Sequence, residues 1–300
     1  MKKVLIIGGT GMVASRFVDL TKKILDITSI DEKTLDITDG IAVEKYLEKN
    51  KFDAVVNFAA FTNVDAAEKE TGNEEGLTYR LNVLGPKNLA EYCNNNNTFL
   101  VHISTDFVFP GTEGQPGPYD EDAPLPETPT GIGWYGWTKN RAEVMIQSTS
   151  TDYAIVRYAY PFRAAPFELK SDWARGVIKL YEEKKLYPLF TDQTQSVIFI
   201  DDLVEPLVKI IDGKLNGVFH IASKDTTTPH EIASYLLEKY VGKPVELEKG
   251  LMAEFLKAPG RTPRPRVGGF KVEKTQAKLG VQFKTWKEMV DEFVSQLNKQ

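Results

Sequence analysis

The chain has 300 residues, of which 42% are hydrophobic and 26% are charged, as is typical of a globular protein with one or two cores. Its net charge of -5 argues against a nucleic-acid-binding surface, and the single cysteine, Cys93, excludes an internal disulfide and a thiolate metal cluster. No segment approaches the ~20 apolar residues of a membrane span, and the first apolar run is too short for a signal peptide. We therefore predict a cytoplasmic protein without a metal, a membrane contact or a nucleic-acid partner.

Short apolar segments rich in β-branched residues alternate with helical patterns through the first half of the chain. Strands are predicted at Val4–Ile7, Ile27–Ile30, Ala54–Phe58, Phe99–Ser104 and Tyr153–Tyr158. Helices are predicted between them at Met12–Lys23, Ile41–Asn50, Leu77–Cys93 and Tyr135–Gln147. This alternation predicts an α/β fold, a doubly wound parallel sheet with helices on both faces.

The second half is less regular and indicates a smaller lobe. Its predicted elements are a helix over Ile200–Gly213, a strand over Val218–Ala222, a helix capped by Thr228 and Glu231, and a last helix from Trp286 to Leu297. We expect a nucleotide-binding domain over residues 1–160, completed by about 193–222. A substrate-binding lobe would then consist mainly of residues 161–192 and 223–300.

The segment Gly8–Ala14 follows the first predicted strand directly and precedes a helix, with the spacing G-x-x-G-x-x-A. Glycines at these positions permit a tight turn and let backbone amides approach a pyrophosphate, which the helix N-terminus attracts. The strand, the turn and the helix agree with one another, so the segment predicts a dinucleotide site. The predicted contacts are Gly8, Thr10, Gly11, Met12 and Val13.

Asp31 stands at the end of the second predicted strand, 20 residues beyond Gly11 (31 − 11 = 20). A carboxylate there can accept hydrogen bonds from the adenosine ribose hydroxyls and would repel a 2′-phosphate. The alternative is that Asp31, Glu32 and Lys33 form only a turn, in which Lys33 could tolerate a phosphate. The predicted cofactor is therefore NADH or NADPH, with NADH slightly favoured.

Three polar residues are predicted to meet at the carboxyl edge of the sheet. Thr105 follows the strand Phe99–Ser104, at the edge where parallel sheets bind ligands. Tyr135 and Lys139 are four residues apart at the start of a helix, so their side chains share one face. Tyr135 alone would be read as a core aromatic. Together with Thr105 and the glycine segment, it is interpreted as part of a reaction site.

Longer motifs resemble a known family. The segments NFAAFTNVDAAEKE (57–70), STDFVFPGTEGQPGPYDEDAP (104–124), YGWTKNRAE (135–143), DQ (192–193) and RTPRPR (261–266) carry the resemblance. With the glycine segment, they are similar to the extended short-chain dehydrogenase/reductase superfamily and, within it, to the dTDP-4-dehydrorhamnose reductase family of nucleotide-sugar ketoreductases. The resemblance implies NAD(P)H-dependent reduction of a nucleoside-diphosphate 4-keto-6-deoxy sugar. Dimers are common in this superfamily, so a homodimer is compatible with the resemblance.

The resemblance implies a catalytic role for each of the three polar residues. Tyr135 would donate the proton that the reduced ketone requires. A free tyrosine has a pKa of about 10, and a neighbouring ammonium on Lys139 and an oxidised nicotinamide would both lower it. Lys139 would also hold the nicotinamide ribose, and Thr105 would hydrogen-bond the keto oxygen.

The resemblance also assigns binding residues by position. The expected cofactor contacts are Asp36 and Ile37 at the adenine, Phe58, Ala59, Ala60 and Thr62 beneath the cofactor, and Asn82. The expected substrate contacts are Val64, Asp65, Asp106, Phe107, Trp134, Arg261 and Arg264. Three alternatives stay open: Asn82 as a structural hydrogen bonder, Trp134 as a packing residue, and Arg261 with Arg264 as part of a solvated loop.

The chain departs from the family pattern at Phe107, where a tyrosine is usual, and at Gly133–Trp134, which replace an Asn-x-Tyr-Gly lead-in. Rival functions are a nucleotide-sugar dehydratase, a 4-epimerase and a non-catalytic regulatory subunit resembling that of methionine adenosyltransferase. Phe107 cannot move a proton as the glutamate of a dehydratase does, and Asp106 does not fit the epimerase pattern. The intact Thr105 and Tyr135 argue against the regulatory subunit.

Overall fold

Six parallel strands form the central sheet of the computed structural model, which describes residues 1–150, 152–169 and 171–299. In spatial order they are β2 (Asp26–Ile30), β1 (Lys3–Ile7), β3 (Ala54–Asn57), β4 (Phe99–Ser104), β5 (Tyr153–Arg157) and β9 (Gly217–His220). Each predicted strand is present, with its ends within two residues of the prediction, and the Val218–Ala222 run pairs as far as His220.

Helices account for most of the remaining regular structure. They are α1 (Met12–Thr21), α2 (Gly40–Lys49), α3 (Val64–Glu68), α4 (Leu77–Tyr79), α5 (Gly85–Asn95), α6 (Trp134–Thr149), α7 (Trp173–Glu182), α8 (Val204–Gly213), α9 (Pro229–Val241), α10 (Met252–Lys257), α11 (Glu273–Leu279) and α12 (Trp286–Leu297). A π-helical segment, Arg80–Leu84, joins α4 to α5. No helix in the described part of the chain is long and apolar enough to cross a membrane.

The strands are apolar on both faces because the sheet lies between two cores. Val4 and Ile6 of β1 point into a core that includes Phe17 of α1. Leu5 and Ile7, which alternate with them along the strand, face a second core that includes Leu47 of α2. Burial on both faces explains the near-continuous apolar runs of the strands. The predicted doubly wound α/β fold is confirmed.

The strand order places a crevice at one edge of the sheet. β1 pairs with β2 on one side and with β3 on the other. The connection after β1 therefore runs to one side of the sheet, whereas the connection after β3 runs to the other side, toward β4. Ligands of open parallel sheets bind at the carboxyl ends of strands at such a reversal. The segments that follow β1, β3 and β4 all meet at this edge.

The later part of the chain adds two small parallel pairs outside the main sheet. β6 (Pro161–Phe162) pairs with β8 (Ile198–Phe199), and β7 (Leu189–Phe190) pairs with β10 (Lys249–Gly250). β9 lies within the 193–222 segment that was expected to complete the nucleotide-binding domain. The larger core continues into α9 and α12, and the division into two lobes stays a prediction.

Candidate active site

The glycine segment brings the chain very close to its neighbours. Gly8 has φ 76°, and a Cβ at this residue would lie 2.8 Å from the backbone nitrogen of Ala59. A Cβ at Gly9 would lie 1.8 Å from Oγ of Ser29. Helix α1 then begins at Met12. Its first N–H groups have no intrahelical acceptors, as at any helix N-terminus, and no N-cap side chain accepts from them. This arrangement fits a pyrophosphate, because helix N-termini attract anions.

The residues expected at the adenosine lie beside this loop, at and beyond the end of β2. Asp31 is half-buried, and its Oδ1 accepts hydrogen bonds from the backbone of Lys33 and Thr34, each at 3.2 Å. Asp31 therefore takes part in a turn, and its contact with the ribose stays a prediction. Asp36 is exposed, whereas Ile37 packs in the α2 core.

The loop after β3 forms the predicted floor of the cofactor site. Phe58, Ala59 and Ala60 are half-buried there, and Thr62 is exposed. Asn82 is fully buried in the π-helical segment. Its Oδ1 accepts from the N–H of Phe61 at 2.7 Å, and its Nδ2 donates to the Phe61 carbonyl and to Oγ1 of Thr138, each at 3.1 Å. Asn82 thus holds this loop against α6.

Two features of the sequence set the start of α6. Gly133 offers no side-chain cap, and Oε2 of Glu68 in α3 instead accepts from the N–H of Trp134 at 2.8 Å. One turn later, a Cβ at Gly136 would lie only 2.1 Å from the carbonyl oxygen of Phe107. The helix can therefore rest directly on the segment that follows β4, which explains the glycine after Tyr135.

Replacing Glu68 with alanine is expected to destabilise the fold by about 1 kcal/mol, the usual effect of losing a helix cap. The α6 N-terminus would then lose both a hydrogen-bond acceptor and a favourable negative charge. Urea denaturation measures the change, with Glu75→Ala, at an exposed position, as the control. Equal stability of the two variants would contradict a capping role for Glu68.

Tyr135, Thr105 and Asp106 meet at the carboxyl end of β4. The Thr105 hydroxyl lies close to the phenol of Tyr135, and the Tyr135 ring packs edge-on against Phe107 with 5.7 Å between ring centroids. Oγ1 of Thr105 also donates to Oδ1 of Asp106 at 3.1 Å. Burial, and then the charge of Asp106, raises the pKa of Tyr135 above its ordinary value. Burial likewise raises the pKa of Asp106 to about 7.

The side chain of Lys139 is held by groups of β4. Its Nζ lies 2.9 Å from Nε2 of His102 and 2.7 Å from the carbonyl oxygen of Ile103, so it contacts β4. Burial lowers the pKa of Lys139 to about 7. Lys139 is not among the groups that lower the pKa of Tyr135, which burial and then the charge of Asp106 raise. A lowering of this pKa by Lys139 together with an oxidised nicotinamide stays a prediction for the cofactor-bound site.

The expected substrate residues separate into two groups. Asp65, next to Val64 at the start of α3, accepts from a guanidinium nitrogen of Arg264 at 2.6 Å, and a hydrogen bond from Thr262 followed by the Arg264 charge lowers its pKa. Arg264 also acts on the phenol of Tyr160 in the site. Arg261 instead lies over the ring of Phe255, 4.1 Å from its centroid.

Trp134, the first residue of α6, packs against Tyr79 of α4. Its side chain is 5% exposed and stacks on Tyr79 with 6.3 Å between ring centroids. Trp137 is half-buried and carries the guanidinium of Arg141 over its ring at 5.3 Å. Both tryptophans therefore pack against neighbouring side chains, and Nε1 of Trp134 has no hydrogen-bond partner among the described residues. A substrate contact of Trp134 stays a prediction.

Tyr160 is a site residue that the sequence reasoning missed. It lies just beyond β5 with φ 44°, a left-handed conformation uncommon outside glycine. Its ring is 6.5 Å from that of Phe107, and its hydroxyl accepts from Nε2 of Gln193 at 3.1 Å. Tyr160 therefore places a phenol beside Phe107, the position that lacks one. Its place at the carboxyl end of a predicted strand was the available signal.

Comparison with known proteins agrees with this geometry. A "probable low-salt glycan biosynthesis reductase" from Haloferax volcanii is 30% identical over 82% of this chain and 78% of its own length. A dTDP-4-dehydrorhamnose reductase from Mycolicibacterium smegmatis is 29% identical over 98% of this chain and 85% of its own. A crystal structure of the Bacillus anthracis dTDP-4-dehydrorhamnose reductase with NADP superposes with a TM-score of 0.85, at 26% identity and with 97% and 98% of the two chains covered. The family described as RmlD substrate binding domain matches residues 1–299, and the chain belongs to that family.

Proposed function

We propose that this protein is a nicotinamide-dependent reductase of a nucleoside-diphosphate 4-keto-6-deoxy sugar. The observation that carries the proposal is that Tyr135 and Thr105 lie together at the carboxyl end of β4, at the same edge of the sheet as the glycine segment. A ketone reductase needs a proton donor and a carbonyl-binding hydroxyl beside a dinucleotide site. The dTDP-4-dehydrorhamnose reductases among its relatives support this function.

The residues of the site suit each step of the reduction. NADH or NADPH would supply the hydride to the C4 carbonyl carbon. The oxygen then gains negative charge, and the Thr105 hydroxyl can donate to it if its one proton turns away from Asp106. Tyr135, whose raised pKa keeps the phenol protonated, gives its proton to that oxygen and completes the alcohol.

The same geometry disfavours the rival catalytic functions. The dehydratase pattern has a glutamate at the position of Phe107, whose ring packs against Tyr135 and cannot move a proton. A non-catalytic regulatory subunit has no use for a phenol and a hydroxyl held together in this way. Among the candidates, reduction is the reaction that the side chains of this site support.

The cofactor preference proposed here is NADH over NADPH. Asp31 places a carboxylate at the carboxyl end of β2, where it can bind ribose hydroxyls and repel a 2′-phosphate. The Bacillus anthracis relative was solved with NADP, so the proposed preference depends on Asp31 in this chain.

Replacing Asp31 with alanine should therefore weaken NADH binding more than NADPH binding. Calorimetric titration of both cofactors into the wild type and the variant gives the ratio of the two dissociation constants. Glu44→Ala is a matched control, because Glu44 is an exposed carboxylate in α2 and is not among the expected cofactor contacts. An unchanged ratio in Asp31→Ala would remove Asp31 from the ribose site.

The proposed sugar nucleotide carries dTDP, as the names of the Mycolicibacterium smegmatis and Bacillus anthracis reductases indicate for those proteins. The pairing of Arg264 with Asp65 places a guanidinium near Tyr160, and guanidinium groups suit diphosphate oxygens. Calorimetry with dTDP, UDP and GDP in the presence of NADH tests the base. Turnover of a dTDP-4-keto-6-deoxy sugar, followed by loss of NADH absorbance, tests the reaction. Cofactor binding without any diphosphate binding or turnover would support the regulatory function instead.

A further inference from the structure

A buried histidine of β4 lies directly behind the proposed reaction site. His102 is fully buried, with its Nδ1 3.3 Å from Nδ2 of Asn57 and its Nε2 2.9 Å from Nζ of Lys139. The carbonyl oxygen of Ile103 holds the same Nζ at 2.7 Å. These side chains connect the end of β3 through β4 to the catalytic helix α6.

The hydrogen bonds determine which nitrogen of His102 carries the proton. The N–H of Ala59 donates to Oδ1 of Asn57 at 3.0 Å, so the Asn57 NH₂ group faces His102 and donates to Nδ1. A neutral imidazole that accepts at Nδ1 carries its proton on Nε2, which faces Lys139. An uncharged amine can accept from that N–H, whereas an ammonium has donors only. The observed contact therefore requires Lys139 to be uncharged.

The charges around this contact agree with that assignment. Burial lowers the pKa of Lys139 to about 7, although the carboxylate of Glu143 on the same helix opposes the shift. Burial and then Lys139 lower the pKa of His102 well below its ordinary value. Glu143, itself paired with Arg157, and His102 are the ionisable groups found to act on Lys139 within the described residues.

We propose that Asn57 and His102 are positioning residues that hold Lys139 as an uncharged amine, and that Lys139 takes up a proton and turns to the cofactor when NADH or NADPH binds. The Nζ lone pair forms a bond to a proton from solvent. The contact with His102 is then lost, because two N–H donors would face each other. The negative pyrophosphate and the ribose hydroxyls stabilise the new ammonium. This inference rests on the proposed nicotinamide site.

Calorimetry of NADH binding to the full chain, in buffers of different ionisation enthalpy, counts the protons taken up. At pH 8, above the pKa of Lys139, we expect wild-type uptake approaching about one proton per site. At pH 6 the amine is already protonated, so uptake should be small. Lys139→Met should abolish the uptake at pH 8.

The role of His102 is tested by His102→Gln, whose amide oxygen can accept from an ammonium. Lys139 would then be charged before binding, and uptake at pH 8 should fall well below that of the wild type. Asn57→Ala releases the constraint on the His102 proton and should act in the same direction, which keeps the test available if one variant does not fold. His230→Gln, half-buried outside the site, should leave the uptake unchanged.

Two different failures can be told apart. Tight NADH binding with no uptake by the wild type at pH 8, or with unchanged uptake in the folded His102→Gln or Asn57→Ala protein, would overturn the inference and leave the reductase function standing. Uptake that persists in Lys139→Met would assign the proton to another group and would also overturn it. Failure of the folded wild type to bind either cofactor would overturn the proposed function itself.

Discussion

Replacing Tyr135 with phenylalanine is expected to lower turnover by about 100-fold or more while cofactor affinity stays unchanged. The phenol is the proton donor placed beside the Thr105 hydroxyl, and phenylalanine keeps the ring that packs against Phe107. Steady-state turnover of the sugar nucleotide and calorimetric binding of NADH measure the two quantities separately.

Tyr240→Phe is the matched control for this change. Tyr240 lies in α9, and its hydroxyl hydrogen-bonds with Glu182. Loss of that hydroxyl should leave turnover at the wild-type value. Full activity of Tyr135→Phe would refute the proposed mechanism, whereas equal losses in the two variants would show that the assay reports stability.

Replacing Gly136 with alanine should damage both the fold and the site. The added Cβ would lie 2.1 Å from the Phe107 carbonyl oxygen, which is backbone and cannot rotate away. Either α6 or the segment after β4 must shift, and we expect a loss of about 1–3 kcal/mol in the free energy of unfolding. The shift also separates Tyr135 from Thr105, so turnover should fall together with stability.

Gly176→Ala provides the contrast, because it makes the same chemical change within helix α7. A Cβ at Gly176 meets no atom within 4 Å, and alanine in a helix interior is about 0.5–1 kcal/mol more favourable than glycine. Urea denaturation should therefore show opposite signs for the two variants. Wild-type stability and turnover in Gly136→Ala would show that α6 does not depend on this close approach.

The local sequence was sufficient for the main sheet and for the nucleotide loop. Parallel strands buried on both faces are mostly apolar, and segments such as Phe99–Ser104 could therefore be recognised without tertiary information. The glycine segment could be recognised from its spacing alone, because a turn and the start of a helix depend on neighbouring residues in the chain. The second half was harder to predict, since two-residue strands such as β6 and β7 have no measurable period.

The details of the site depend on contacts between residues far apart in the chain. Tyr135 and Lys139 share a helix face, as their spacing predicts, but the pattern could not show that His102 and the Ile103 carbonyl hold Nζ of Lys139.

The same holds for Glu68, which caps α6 from 66 residues away, and for Tyr160, which places its hydroxyl beside Phe107. The sequence by itself determined the fold class and the residue types of the reaction. Only the tertiary structure decided which of these side chains carry a proton, because burial and the neighbouring charges and hydrogen bonds set each pKa.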